Sequence, residues 1–125
     1  AVDTLAKEIF EANKAKGFWD MCKYPVSYVD DLGQLTVEDD FRPDLRNTGE
    51  CLMLMVSELA EALEADRKNL NDSHLPQYKG VYVEVVDTII RALDFLGAHN
   101  VPVGDIMRDK LEYNRARPYK HGKAF

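Results

Sequence analysis

Apolar residues recur at three- and four-residue steps in four stretches of the chain, the pattern of helices that bury one face. In the first, Leu5, Ile9 and Phe10, with alanines at 6, 12 and 15, predict a helix over Asp3 to Lys16 that Gly17 stops. Thr48 to Lys68 carries the plainest pattern. Leu52, Val56, Leu59 and Leu63 mark its stripe, Met53, Leu54, Met55, Ala60 and Ala62 widen it nearly all round, and Thr48 stands where a cap belongs. A helix apolar on so many sides packs on several neighbours or on a second subunit. Tyr78 to Leu96 is rich in β-branched residues (Val81, Val83, Val85, Val86, Ile89, Ile90), which by propensity alone would form a strand. Its length decides for a helix, because strands typically hold about 5–6 residues. At about 3.6 residues per turn, Glu84, Asp87, Arg91 and Asp94 also fall on one stripe. Gly97 reads as the end of this helix, Pro102 as the next start, and Val103 to Ala116 as the last helix.

Between these stretches, Phe18 to Asn47 is the least regular, with Pro25, Gly33, Pro43 and the acidic cluster Glu38, Asp39 and Asp40. A loop of that length is uncommon inside a compact domain and is often functional. A short helix around Thr36 to Asp40 and a short strand at Ser27 to Val29 are both open readings of it. The expectation is one all-α domain over residues 1–125, of four to five helices with a central antiparallel helix pair. Four helices cover the over-apolar central one poorly, so a homodimer or homotetramer is expected to complete the helical bundle.

Composition narrows the function classes. With 125 residues, 46% of them hydrophobic, the chain is long enough for a core without disulfides. Sixteen basic against 22 acidic residues leave a net charge of −6, which argues against a nucleic-acid or anionic-membrane partner. The longest apolar run, Cys51 to Val56, falls far short of the roughly 20 residues that cross a bilayer. No leader pattern opens the chain, and Cys22 and Cys51 form no metal-spaced pair, so a cytoplasmic protein is expected. The charge is uneven. Arg108 to Lys123 holds six basic and two acidic residues, whereas the rest is strongly acidic. Such a division suits a site where a divalent cation meets a polyphosphate, and equally a solvated terminal helix.

The informative chemistry is acid set within apolar helices. Glu58 and Glu61 stand three apart in Met55-Val-Ser-Glu-Leu-Ala-Glu-Ala-Leu-Glu64, and Glu84 and Asp87 repeat that spacing in the next long helix. Residues three apart are neighbours on a helix surface, so two antiparallel helices can present four carboxylates to one another. Buried together they repel, a cost that a hard divalent cation removes. No Glu-x-x-His occurs, against a di-iron bundle, and His74, His99 and His121 lack zinc spacing. Solvated acids also explain part of the pattern: Glu64 is placed to pair with Lys68, Asp87 with Arg91, and Asp94 to lie exposed.

Glu58-x-x-Glu61, then 22 residues, then Glu84-x-x-Asp87 resembles the signature of the all-α nucleoside triphosphate pyrophosphohydrolases of the MazG-like type. The resemblance extends to Lys16-Gly-Phe-Trp-Asp20, to Ser57 through Arg67, and to Lys110-x-x-Tyr-Asn114-x-x-Arg117-Pro-Tyr-Lys120-His-Gly122. It implies hydrolysis of a nucleoside triphosphate to the monophosphate and pyrophosphate, with Mg²⁺ (Mn²⁺ as a substitute) held by Glu58, Glu61, Glu84 and Asp87. Many members carry a glutamate just before the first motif glutamate, where this chain has Ser57. A motif glutamate, Glu61 or Glu58, is then expected to take the water's proton. Lys110, Arg117 and Lys120 are expected to neutralise the departing pyrophosphate, with Asn114 as a neutral donor; Lys110, Asn114 and Arg117 share a helix face. Trp19 either stacks on the nucleobase or plugs the end of the bundle. A phosphoribosyl-ATP pyrophosphohydrolase and a non-catalytic helical module are the alternatives.

Overall fold

The computed structural model describes residues 1–119. Lys120 lies outside them. Four helices, α1 (Val2–Ala15), α2 (Thr48–Arg67), α3 (Gly80–Ala98) and α4 (Val103–Arg115), are joined by an antiparallel ribbon of two strands, β1 (Lys23–Val29) and β2 (Leu35–Phe41). The all-α expectation is therefore corrected to four helices plus a two-stranded sheet. The ribbon occupies the segment read as irregular, and the short helix considered at Thr36 to Asp40 is strand β2. Its register pairs Val26 with Glu38 and Tyr28 with Thr36. Gly33, at φ +77°, makes the turn, and the Asp30 carboxylate accepts from the Leu32 and Gln34 amides to hold it. Two acids of the cluster are used across the strands, where Tyr24 donates to Asp40 and Tyr28 to Glu38.

The C-terminal ends of α1, α2 and α3 follow one local device. At Gly17, Asn69 and Asn100 the backbone turns to positive φ, and paired bonds close each helix from behind. The Phe18 amide donates to the Asn13 carbonyl, Leu70 to Ala65 and Val101 to Leu96. Gly97, read as a stop, instead lies inside α3; a Cβ there would sit 2.5 Å from the Ala6 carbonyl oxygen. It is the point where the α1 backbone crosses α3. At the start of α2 the cap is Asn47, not Thr48, its side chain accepting from the Glu50 amide.

α2 and α3 run antiparallel, with Ala65 of α2 against Gly80 at the head of α3 and Cys51 in one cluster with Ala98 at its tail. α1 packs on α3, and α4 touches α1. One core cluster gathers Phe10, Trp19, Cys22, Cys51 and Ala98 with Phe41 of β2, so the ribbon is anchored at its base. A second joins Ala6, Leu93 and Val103. Along α2 and α3, Leu52, Val56, Leu59, Leu63, Val86 and Ile89 stay exposed.

Candidate metal centre

The antiparallel pairing sets the middle of α2 against the first half of α3, and that is where the acids meet. Glu58, Glu84 and Asp87 each offer a carboxylate oxygen, all within 4.8 Å of one another. Glu61, one turn on, is exposed and lines the same cleft of about 410 Å³, together with Asp72, Ser73 and His74 from the α2–α3 connection. The loop is held by its own turn, the Asp72 carboxylate accepting from the His74 and Leu75 amides. Three of the four motif acids thus converge closely, and the fourth stands at the rim.

The electrostatics are those of crowded acids. Burial first, then the contact with Glu58 and the negative charges of Glu61, Glu58 and Asp87, push the Glu84 carboxyl up to about 7. Its Oε2 is buried with no hydrogen-bond partner. Burial likewise pushes Asp87 up, helped by the charges of Glu58 and Asp72 and opposed by Arg91. Glu58 goes the other way. Burial raises it, but hydrogen bonds from Arg91 and with Glu84, and the Arg91 charge, outweigh that and hold it below the ordinary glutamate value.

The donor set fits a hard divalent cation. All three converging ligands are carboxylates, which suit Mg²⁺ or Mn²⁺ better than a metal that prefers nitrogen or sulfur. The buried Glu84 Oε2 has no hydrogen-bond partner, which leaves it free to serve as a ligand atom. Among the described residues, His74 is the one histidine lining the cleft, its Nδ1 3.3 Å from Ser73 Oγ.

Two arginines frame the site, and neither was among the expected site residues. Arg91, expected beside Asp87 on its own helix, reaches across instead, with Nε donating to Glu58 Oε1 at 2.8 Å. The shared stripe of Glu84, Asp87 and Arg91 was the available signal; it did not say that Arg91 would choose α2. Arg46 comes from the chain entering α2 and, with Arg91, lines a second cleft of about 310 Å³, which shares Glu58 and Asp87 with the first. Glu64 does pair with Lys68, at 2.9 Å.

The other expected contacts lie elsewhere. Trp19 is 1% exposed, its Nε1 donating to Asp94 at 3.0 Å and its ring edge-on to Phe10, with the Arg46 guanidinium 4.8 Å from its centroid. The structure therefore places it as a plug in the core. Asp94, expected exposed, is buried as its partner. Lys110 and Arg117 gather around the Tyr113 ring on α4, at 4.8 and 5.8 Å, and Asn114 lies on the same helix. Among the described residues of one chain, none of these three lines either acidic cleft.

No family model, curated protein or solved structure matches this chain.

Proposed function

We propose that the chain is a Mg²⁺-dependent nucleoside triphosphate pyrophosphohydrolase that cleaves a ribo- or deoxyribonucleoside triphosphate to the monophosphate and pyrophosphate, as a house-cleaning activity on the nucleotide pool. The observation that carries this reading is the convergence of Glu58, Glu84 and Asp87 from two helices, with a buried acceptor left unpartnered.

Glu58, Glu84 and Asp87 would hold the cation, with Glu61 at the edge of the same cleft. When bound, Mg²⁺ or Mn²⁺ supplies charge neutralisation of the triphosphate and a lowered pKa for water. Water adds to a phosphorus of the anhydride, the bridging P–O bond breaks, and the water's proton passes to a carboxylate. Exposed Glu61 is the acid best placed to receive it, since Glu58, Glu84 and Asp87 would be occupied in holding the cation. Ser57 is no substitute, because its hydroxyl donates to the Leu54 carbonyl at 2.7 Å. Lys110, Asn114 and Arg117, remote from the cleft within one chain, are assigned to the site of a neighbouring copy in a homodimer or homotetramer. The exposed apolar stripe of α2 and α3 supports such an assembly. No helix among the described residues is long and apolar enough to cross a membrane.

Incubation of the purified protein with Mg²⁺ and a panel of nucleoside triphosphates, including phosphoribosyl-ATP, should release pyrophosphate and the corresponding monophosphate. Glu84→Gln and Asp87→Asn should each lower turnover by about a hundredfold or more, as loss of a metal ligand does. Orthophosphate as the first product, or turnover indifferent to chelator and to both substitutions, would overturn the reading.

A further inference from the structure

Glu58 has two suitors. It supplies one of the three converging oxygens, yet the same carboxylate already holds the Arg91 guanidinium at 2.8 Å. A divalent cation seated among Glu58, Glu84 and Asp87 would meet that guanidinium beside it, two cations competing for one carboxylate. The exposures say which would yield. The Glu58 side chain is 12% exposed and Arg91 is 42% exposed, so the arginine can swing outward into water without stranding a buried charge, while Glu58 stays in place. The outward direction is not empty of function. Arg91 borders the cleft that Arg46 lines, and the Arg46 side chain is 11% exposed with a buried Nε that has no partner. Both guanidinium groups line one cleft of about 310 Å³ that shares Glu58 and Asp87 with the acid cluster. Arg46 there also donates to the Phe18 carbonyl at 3.3 Å and lies 3.6 Å from Glu50, so its Nε is the donor left to meet a phosphate oxygen.

We infer that Arg91 is an exchangeable counter-ion: it neutralises Glu58 while the metal is absent, is displaced by the divalent cation, and then joins Arg46 in binding the phosphate chain of the substrate. This rests on the proposed function, and it adds an order of events, with cation first and polyphosphate second. The cleft would accept an anion well only after the cation has freed Arg91. The residue is a positioning and binding group, and the proton transfer stays with the carboxylates.

Calorimetric titration of the whole chain with Mg²⁺ alone, then with inorganic tripolyphosphate at saturating Mg²⁺, tests this without reference to turnover. Arg91→Met keeps the length of the side chain and removes the competing charge. It should bind Mg²⁺ about tenfold more tightly, the scale of one charge-assisted hydrogen bond, and tripolyphosphate about tenfold more weakly. Loss of the charge alone would also move both affinities this way, so Arg91→Lys, which keeps the charge, is the variant that separates exchange of the Glu58 contact from simple electrostatics. Unchanged or weaker Mg²⁺ binding in Arg91→Met, or unchanged tripolyphosphate binding, overturns the inference. Should that variant not fold, Arg91→Lys decides. Lysine keeps the charge but not the Nε contact, so Mg²⁺ should bind about threefold more tightly, and an affinity equal to the wild type counts against exchange. Failure of the two readings is distinguishable, because a wild-type chain that binds no Mg²⁺ at all removes the proposed function itself, whereas one that binds Mg²⁺ but ignores Arg91 removes only the counter-ion role.

Discussion

Glu84 concentrates the electrostatic tension of this chain in one side chain. Its carboxyl is raised to about 7 in the folded protein, from an ordinary glutamate value of 4.5 when unfolded. The folded state therefore holds a proton that the unfolded state gives up, so folding is favoured in acid and loses that advantage as pH climbs through about 7. Asp87 and Asp94 are shifted in the same direction; Glu58, shifted down, works only in the more acid range. The melting temperature without metal should accordingly fall between about pH 5 and 8. Glu84→Gln should flatten that slope and raise the melting temperature at pH 8, and Mg²⁺ should raise it in the wild type but much less in the variant. A metal-free wild-type curve that rises over this range would contradict the crowding seen around Glu84. The four motif acids were legible as residues, because their i, i+3 spacing within apolar helices is a local property. Arg91, Arg46 and Asp94 were not, because a charged side chain's partner lies on another element. Trp19 shows the same limit. Nothing in Lys-Gly-Phe-Trp-Asp distinguishes an indole facing a ligand from one driven inward to meet a buried carboxylate.

Among the elements, the helices were readable nearly end to end and the ribbon only in part, through the short strand weighed at Ser27 to Val29. Helical period persists over three turns or more and averages out local exceptions. A two-stranded ribbon exposed on both faces keeps no such record. β1 and β2 carry Val26, Val29, Leu35 and Val37 facing water; in β2 Thr36, Glu38 and Asp40 alternate with Leu35, Val37 and Phe41, but Asp39 interrupts the apolar row and neither face is buried along its length. The decisive features are cross-strand pairs and a turn, which become visible only with the register known. Gly97 makes the converse point. Its type suggested a helix end, but its use is close packing, and Asn100 makes the end. Gly97→Ala should cost about 1–3 kcal/mol of stability by denaturant unfolding, since the added methyl meets the α1 backbone and cannot be absorbed by a flexible side chain. A neutral or stabilising outcome, as alanine gives in an open helix, would mean that α1 and α3 do not cross this closely.

For the molecule as a whole, the exposed stripe along α2 and α3 is the outstanding feature. Only Cys51 and Ala62 of α2 are fully buried, although the helix is apolar on most sides. Association of copies through this face should make sedimentation concentration-dependent, and Ile89→Glu, at an exposed α3 position outside both clefts, should shift the protein toward monomer. If Lys110, Asn114 and Arg117 act on a neighbour's site, turnover should fall with that shift. A monomeric wild type would leave these three residues without a role in the reaction.

Periodicity, the helix-stopping signals near positions 17 and 69, and the paired acids are short-range properties written into neighbouring residues, and they were enough to predict four helices and to mark the carboxylates that gather between two of them. Tertiary structure alone decided that the ribbon forms, that Trp19 and Asp94 are sealed together, and that Arg91 crosses to Glu58. Each of these depends on which surfaces of separate elements meet, and the free energy of such contacts belongs to pairs of residues tens of positions apart, where no local pattern records it.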